Sequence, residues 1–386
     1  MNRLLISLLA IFSAVSASAQ YTYPDAYGTD IQYPAMRNTV NGRKEIVIPQ
    51  VNGYNVYKAD LHVHTICSDG RVTPGYRVKE AWRNGLDIMA IADHLEYRRY
   101  ERRFIAYLQE YFPEAVKVTH NSVDASEIMV DLNYSLKWAQ KYAKEYPVLI
   151  IPAAEITRSE GHYNALFTID NNIIPNSDAI QAIRNAKAQG CLIQHNHPGK
   201  RRESVEMSEF EKAVYAEGLV DGIEVMNGNE FYPKVIDRAL EYGLFMSSNT
   251  DLHATSEADY EGAVIGRNMT FILAKEKTLE SIREALEAKR TISYSFDRLA
   301  GEESLLKDFF NSCVSYSVVS RNEKKGTTTY TLTNLSSLPF VVSNPGGNPK
   351  WVAPFTTVMI TTGDLRLEVV NMWCNQNTHP IVEVKF

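Results

Sequence analysis

The sequence predicts an α/β fold followed by a smaller antiparallel β-sandwich. From Asn55 onward, short apolar runs alternate with segments of helical period, and several of these segments end at glycine, such as Gly85 and Gly190. Strands that alternate with helices favour a mostly parallel sheet, either closed as a barrel or left open. After about Leu305 the helical period stops, and short β-rich runs with turn residues between them indicate the sandwich.

The predicted elements follow one another along the chain. The strand-like runs of the α/β part are NVYKADLHVH, DIMAIADH, VLIIPAAEIT, NALFTI, CLIQHNHP, GIEVMNG, LFMSSNTDLH and MTFILA. Its helical segments include PGYRVKEAWRNG, LNYSLKWAQKYAKEY, SDAIQAIRNAKAQG and TLESIREALEAKR. The β-rich part contains the runs SYSVVS, TTTYTLTN, FVVS, TTVMITT, LRLEVV and IVEVKF.

The first residues predict export. Arg3 places a positive charge before the apolar run LLISLLAIFSAV, and Ala17-Ser18-Ala19 then forms an A-x-A cleavage pattern. The run is short for a membrane span, and no Cys follows it, so we expect no stable membrane anchor. An N-terminal core helix is the less favoured alternative. We predict a periplasmic or secreted protein with a signal peptide at 1–19, an irregular arm at 20–53, an α/β domain at 54–304 and an all-β domain at 305–386.

Composition limits the classes of partner. The formal net charge is −6, which argues against a nucleic-acid-binding surface and implies that any anionic substrate is captured by a local site. The oligomeric state is not predicted. An exported chain can form disulfides, and Cys313 and Cys374 fall in the same β-rich region, so a bond between them is an open alternative. Cys67 and Cys191 are expected to be buried structural thiols.

The histidines give the strongest functional signal. Of nine, only His120 and His379 lie away from predicted strand ends. Since strand residues i and i+2 share a face, each H-x-H or D-x-H motif aims two ligand groups to one side. The carboxyl ends of strands are where parallel βα folds build their sites. The seven histidines at strand ends are His62, His64, His94, His162, His195, His197 and His253.

Carboxylates complete a candidate metal cluster. Asp251 shares a motif with His253, Glu155 ends the run VLIIPAAE and could bridge two metals, and Asp69 closely follows the first strand. The alternative for Asp69 is a turn or helix-capping role. Asp93 faces away from His94 on its strand, so we predict that it supports the ligands from behind. Imidazoles mixed with carboxylates favour zinc, manganese or iron over calcium.

These motifs resemble a known superfamily. DLHVHTICSDG, IADH, the isolated Glu155, NHPG and TDLHA occur in this order in the PHP (polymerase and histidinol phosphatase) superfamily. The segments Gly53–Arg98 and EITRSEGHYNALF are similar to its exported phosphodiesterase branch of the Sb-PDE type. The resemblance covers roughly residues 50–300, and a C-terminal all-β module is also similar to that branch.

The resemblance implies a distorted (βα)7-type PHP barrel that holds two or three divalent metal ions. It assigns His62, His64, Glu155 and Asp251 to one ion. Glu155 would bridge to a second ion with His197, with His162 as an additional candidate ligand, and a third would take Asp69, His94 and His253. Many relatives carry His in place of Asp69, and His195 stands where an aromatic residue is expected, so His197 is the better ligand of that pair.

The resemblance also implies metal-dependent hydrolysis of a small-molecule phosphate ester, most simply a phosphodiester, with a metal-activated bridging hydroxide as nucleophile. Beside Glu155, the expected catalytic residues are His195 as a proton donor and Arg98 and Lys200 as phosphate clamps, since basic runs follow two of the strand ends. The alternative for each basic residue is an ordinary solvated loop. Two other functions stay open: a carbamate or aryl-ester hydrolase on the same metals, and a non-catalytic binding protein that acts through its β module.

Overall fold

The computed structural model describes residues 42–98, 131–260 and 266–386. The predicted signal peptide and most of the predicted arm lie outside the described residues. The α/β strands are β1 Asn55–Val63, β2 Ile88–Ile91, β3 Leu149–Ile151, β4 Ala153–Arg158, β5 Gly161–Leu166, β6 Leu192–His195, β7 Gly222–Asn227, β8 Glu230–Phe231, β9 Phe245–Asn249, β10 Met269–Ala274, β11 Thr291–Ser295 and β12 Arg298–Ala300. The helices are α1 Pro74–Arg83, α2 Tyr134–Ala143, α3 Ala179–Ala188, α4 Glu209–Ala216, α5 Pro233–Tyr242, α6 Ser256–Asp259, α7 Leu279–Glu287 and α8 Glu303–Cys313.

The C-terminal part contains two small antiparallel sheets. Its strands are β13 Val314–Asn322, β14 Thr327–Asn334, β15 Phe340–Ser343, β16 Lys350–Val352, β17 Thr357–Thr362, β18 Arg366–Val369, β19 Met372–Trp373 and β20 Ile381–Glu383. One sheet has the order β13-β14-β17 and the other β16-β15-β18-β20, while β19 pairs with β12 of the α/β part. This pairing crosses the predicted boundary at 304/305, which stays a prediction.

Two larger sheets carry the α/β part. One has the order β19-β12-β11-β10-β1-β2-β3, and the other has β4-β5-β6-β7-β8 with β9 paired to β7. Isolated parallel bridges at Val63–Leu252 and His94–Glu155 connect the two sheets. The chain is therefore a mixed α/β protein whose two sheets meet at the ends of β1 and β2.

The prediction of a mostly parallel arrangement is wrong. β1 and β2 pair in parallel, as do β6, β7 and β9, but β10 and β11 join the first sheet antiparallel. β4 and β5 form a tight antiparallel hairpin, because only Ser159 and Glu160 separate them. Two residues suffice for a hairpin but not for the crossover that a parallel pair requires.

Helix signals in the sequence act as expected. The Thr73 side chain accepts from the Tyr76 N–H and Pro74 opens α1, whereas α5 ends at Gly243 with φ of 62°.

Within the described residues, no helix is long and apolar enough to cross a membrane.

The prediction that residues 305–386 are all β is wrong for residues 305–313. Helix α8 covers them and buries Leu306, Phe309, Phe310 and Cys313. This spacing of three, one and three residues is that of one apolar helix face. Cys313 and Cys374 are buried thiols with no disulfide between them, and Cys191 is also buried.

The loop after β1 brings the chain back toward the strand ends. The Gly70 N–H donates to the Thr65 carbonyl at 2.9 Å, and the Ile66 N–H donates to the Val72 carbonyl at 2.9 Å. A Cβ on Gly70 would lie 2.6 Å from the Thr65 nitrogen and 2.7 Å from the His64 carbonyl carbon. Backbone atoms cannot give way as a flexible side chain can, so only glycine fits this close approach.

We predict that Gly70→Ala lowers the free energy of unfolding by about 1–3 kcal/mol, because the added methyl group must push the loop away from β1. Gly301→Ala is the matched control, since its Cβ would find its nearest neighbour at 3.4 Å. Urea unfolding of both variants measures the difference. Equal stability of the two variants would contradict the close approach.

Candidate metal centre

The ends of several strands meet at one edge and bring the predicted ligands together. His62 and His64 project from the end of β1, and His94 follows β2. Glu155 lies in β4, and its hairpin partner β5 returns His162 to the same edge, where it pairs with Thr157. The remaining ligands follow β6 and β9: His197, Asp251 and His253.

The cluster consists of overlapping groups of imidazole and carboxylate atoms. In each group, the candidate ligand atoms lie within 4.8 Å of one another. Such spacing suits one divalent cation per group, and shared members suit neighbouring cations. The four groups are His62–His64–Glu155, His62–His197–Asp251, Glu155–His162–His197 and His64–Asp69–His94–His253.

Glu155 lies at the centre of these groups and has no exposed surface. Its Oε1 is 3.4 Å from His62 Nε2 and 3.2 Å from His162 Nδ1, while its Oε2 is 2.6 Å from His94 Nδ1. His197 Nε2 lies 3.7 Å from Oε1. The two oxygens therefore face different histidines, which is the arrangement that a bridging carboxylate needs.

Asp251 and Asp69 supply the other carboxylates. Asp251 Oδ1 is 2.9 Å from His64 Nε2 and 3.3 Å from His62 Nε2. Asp69 Oδ1 is 3.1 Å from His253 Nε2 and 3.4 Å from His94 Nε2. Asp69 thus faces the cluster rather than capping a helix.

Three buried atoms in the cluster make no hydrogen bond, although imidazole nitrogens lie close to the two oxygens among them: His64 Nδ1, Asp69 Oδ1 and Glu155 Oε2. Buried polar atoms are rarely left in this state, because each loses its contacts with water without compensation. Oxygens and imidazole nitrogens that converge from different strands are ligands for zinc, manganese or iron. The residues therefore fit divalent metal ions.

The buried carboxylates and imidazoles of the cluster shift one another's pKa values. Burial alone would raise the pKa of Glu155 and of Asp251, but the surrounding histidines hold both pKa values well below their usual range. Burial alone would lower the pKa of His94, and Glu155 raises it to above the usual value. Burial and the neighbouring His94 lower the pKa of His64 to about 4.

Glu224, which the sequence analysis did not single out, supports the ligands from behind. It is fully buried in β7, and its Oε1 accepts from His62 Nδ1 at 2.9 Å. Its Oε2 accepts from the His197 backbone N–H at 2.6 Å and from Asn227 Nδ2 at 2.8 Å. A carboxylate on the outer nitrogen fixes the orientation of a ligand imidazole. The available signal was a lone Glu within the apolar run GIEVMN.

Asp93 supports the loop after β1 rather than a ligand ring. Its Oδ1 accepts from the Thr65 N–H at 2.7 Å and from the Ser68 hydroxyl at 2.6 Å, and its Oδ2 accepts from the Thr65 hydroxyl. It thereby holds the segment between His64 and Asp69.

His195 lines the same cavity as His197 but does not join the ligand groups, contrary to the expectation from their spacing. Its Nδ1 is 2.9 Å from the Tyr215 hydroxyl and its Nε2 is 3.3 Å from Glu211 Oε1, while its ring stacks on Tyr163. The strand ends at His195, and His197 has φ of 27°, so the alternation of a strand does not continue to it. Burial lowers the pKa of His195.

The two predicted clamp residues have different surroundings. Arg98 donates to the His94 carbonyl at 3.0 Å and is not among the described residues that line the cavity beside the cluster. Lys200 does line it, and its Nζ pairs with Asp251 Oδ2. Burial would lower the pKa of Lys200, but the Asp251 carboxylate raises it.

A cavity of about 800 Å3 opens onto the cluster, large enough for a small-molecule substrate. Its wall includes Arg71, Arg158 and Tyr97, none of which the sequence analysis selected. Their positions depend on tertiary packing, and no local motif marks them.

Comparison with solved structures assigns the family. A two-domain protein from Bacteroides vulgatus, described as containing a predicted PHP-like metal-dependent phosphoesterase, is 31% identical with a TM-score of 0.77. The match covers 89% of this chain and 99% of that one. The chain belongs to the PHP-like metal-dependent phosphoesterases. This confirms the superfamily that the motifs indicated.

Two further solved structures match part of the chain with lower similarity. A protein from Bifidobacterium adolescentis assigned as a metal-dependent phosphoesterase is 15% identical, covers 60% of this chain and 96% of its own, and has a TM-score of 0.37. The lesion-specific endonuclease EndoQ of Pyrococcus furiosus is 16% identical, covers 64% of this chain and 59% of its own, and has a TM-score of 0.40. No family model and no curated protein matches the sequence.

We predict that Glu224→Gln weakens divalent-metal binding about 10- to 100-fold, because the amide cannot offer His62 and the His197 N–H two negative oxygens. Competition with a fluorescent chelator measures the affinity. Glu241→Gln, at an exposed position on α5, is the control and leaves it unchanged. A Glu224→Gln protein with unaltered affinity would show that the carboxylate does not support the ligands.

We also predict that metal binding releases protons at neutral pH. Burial alone would lower the pKa values of His62 and His253, but Asp251 beside His62 and Asp69 beside His253 raise both. These rings therefore hold protons to higher pH, and a metal must displace them. Affinity is expected to rise with pH through the neutral range. Calorimetry in two buffers of different ionisation enthalpy measures the release, and identical heats in both would contradict it.

Proposed function

We propose that this protein is an exported, metal-dependent phosphodiesterase that hydrolyses a small-molecule phosphate ester. The observation that carries the proposal is the convergence of histidines and carboxylates around the fully buried Glu155 in a PHP-like phosphoesterase. A buried carboxylate with an oxygen facing each of two imidazole sets is suited to join two cations.

The ligand groups would divide two or three divalent ions among them. His62, His162 and His197 approach Glu155 Oε1, His64 and His94 approach Oε2, and Asp251 lies beside His62 and His64. His64, Asp69, His94 and His253 form the remaining group. Ions held there would lower the pKa of a bound water and offset negative charge on the phosphoryl oxygens.

Three further residues were predicted to act on the substrate: Lys200, His195 and Arg98. Lys200 pairs with Asp251 at the cavity wall, so its ammonium lies next to the cluster and could contact a phosphoryl oxygen. His195 is removed from this scheme as a proton donor, because both of its ring nitrogens already face Tyr215 and Glu211. Arg98 is removed as a clamp, since it donates to the His94 carbonyl and is not among the described residues that line the cavity.

The finer architecture belongs to the same proposal. We propose that the two large sheets together form the distorted seven-stranded barrel of the family, and the bridges Val63–Leu252 and His94–Glu155 support this. The C-terminal sheets would form the packed sandwich. The apolar run and A-x-A pattern at residues 4–19 support export to the periplasm or outside the cell.

We predict that chelation abolishes hydrolysis of bis-p-nitrophenyl phosphate and that adding back zinc, manganese or iron restores it. Glu155→Gln should lower kcat/KM by about a thousandfold or more, because the amide cannot join two ligand groups as a carboxylate does. Elemental analysis of both proteins accompanies the rate measurement, with Glu241→Gln as the control. Turnover that survives complete metal removal, or turnover of an aryl acetate or carbamate in preference to the diester, would refute the proposal.

A further inference from the structure

The cavity wall beside the metal centre carries five cationic side chains. Three of them already have carboxylate partners: Arg158 pairs with Glu96 at 2.5 Å, Arg202 pairs with Glu211 at 2.9 Å, and Lys200 pairs with Asp251. The two others are Arg71 and Arg201.

Arg71 and Arg201 are exposed, and no described carboxylate pairs with either guanidinium. A paired arginine helps to hold a loop, and its charge is largely offset. An arginine without a partner keeps its full charge and all five N–H donors available to a bound anion. Arg71 and Arg201 therefore differ from the three other cations of the wall, whose charges are offset by carboxylates.

Both arginines lie in loops whose backbone contacts ligand residues. The Arg71 N–H donates to the His253 carbonyl at 2.6 Å, which places Arg71 on the side of the Asp69 group. Arg201 lies in the loop after His197 and directly follows Lys200, whose N–H donates to the His197 carbonyl at 3.0 Å. The two guanidinium-bearing residues thus flank the cluster rather than sit within it.

Arg201 also has a backbone conformation that its residue type does not favour. Its φ is 59°, in the left-handed region that usually takes glycine or asparagine. Two other non-glycine residues that line the cavity also have a positive φ, which is 27° for His197 and 54° for Asp251. Backbone strain of this kind tends to gather at binding sites, where the surrounding structure holds it.

We propose that Arg71 and Arg201 bind a second anionic group, so that the substrate is a phosphoester whose organic part carries a carboxylate or a further phosphate. The inference rests on the proposed phosphoesterase function. The metal centre would take the charge of the scissile phosphoryl group, and these arginines lie outside the cluster, toward which the organic part of the substrate would extend. Guanidinium groups bind carboxylates and phosphates through paired, charge-assisted hydrogen bonds. The chain carries a net charge of −6, so such a group would be recognised by this local pair and not by the overall field.

Matched p-nitrophenyl diesters test the inference. The metal-loaded enzyme is assayed with the propyl, 2-carboxyethyl and 2-phosphonoethyl esters of p-nitrophenyl phosphate, which share one leaving group. We expect kcat/KM to be about five- to tenfold higher for an anionic ester than for the propyl ester, as for partly exposed charged contacts. The two anionic esters separate carboxylate from phosphate recognition. The preference should weaken at high salt.

Arginine variants connect the preference to the proposed site. Arg71→Gln and Arg201→Gln should each move the ratio of anionic to propyl ester toward one, and Arg201→Lys should retain part of it. Arg321→Gln is the control, because Arg321 is exposed on β13 in the C-terminal part. Metal content and melting temperature, measured for every variant, show whether the fold and cluster persist. If Arg201→Gln changes the metal content or the melting temperature, the substrate preferences of Arg71→Gln and Arg201→Lys test the inference instead.

Two outcomes would overturn the inference while leaving the proposed function intact. One is an enzyme that turns over the propyl ester at least as well as both anionic esters. The other is a preference that both glutamine variants retain. If no ester is hydrolysed in a metal-dependent way, the proposed function fails, and the inference fails with it.

Discussion

The site depends on one buried carboxylate. Glu155 is completely shielded from solvent, and a charge in that position is costly unless opposite charge or hydrogen bonds surround it. The chain meets this requirement with histidines from separate strands, two of which approach within 3.2 Å of its oxygens. The same residue forms the bridge to His94 that connects the two large sheets. The contact that assembles the cluster is therefore also one that joins the sheets.

A second layer of buried polar groups extends this arrangement behind the ligands. Glu224 receives N–H groups from His62, His197 and Asn227, and Asn249 Nδ2 donates to it at 3.0 Å. Gln194 and Ser247 continue the network between β6 and β9. A partly satisfied network of this kind would destabilise the fold, whereas a satisfied one fixes each ring in a single orientation. The rigidity of the site thus derives from the strands beneath it.

Strand periodicity made much of the cluster predictable. The pair His62–His64 faces one side because residues i and i+2 do so at the end of a strand. Asp251 and His253 reach the same cluster from beyond the end of β9, where Asp251 has φ of 54°, so strand alternation does not account for their placement. The same rule failed for His195 and His197, because the strand ends between them and His197 turns to a positive φ. Helix α8 was missed although its apolar spacing is plainly helical. The mixed direction of the strands depends on loop length, because the two residues between β4 and β5 are too few for a parallel crossover.

The cations around the cavity could not be predicted from the sequence for a different reason. Arg98 and Lys200 were chosen because they follow ligand-bearing strands, yet Arg98 contacts a backbone carbonyl and Arg71 lines the wall instead. Whether an arginine is neutralised depends on which distant carboxylate packs beside it, as Glu96 does with Arg158 and Glu211 does with Arg202. No local motif encodes these pairs, because the partners come from separate loops.

Without metal, the charge balance of the cluster is kept by protons and by Lys200. Asp251 faces His62, His64 and the Lys200 ammonium, and these neighbours keep its pKa well below the usual range. A divalent ion that binds to the same oxygens would repel protons from the rings and weaken the hold of Asp251 on Lys200. Since Lys200 already lines the cavity, the ammonium would then face the cavity with its charge less compensated. In the proposed function, metal loading and the capture of an anionic substrate would thereby be coupled through one carboxylate, because the ion that completes the centre would also free a cation for the substrate.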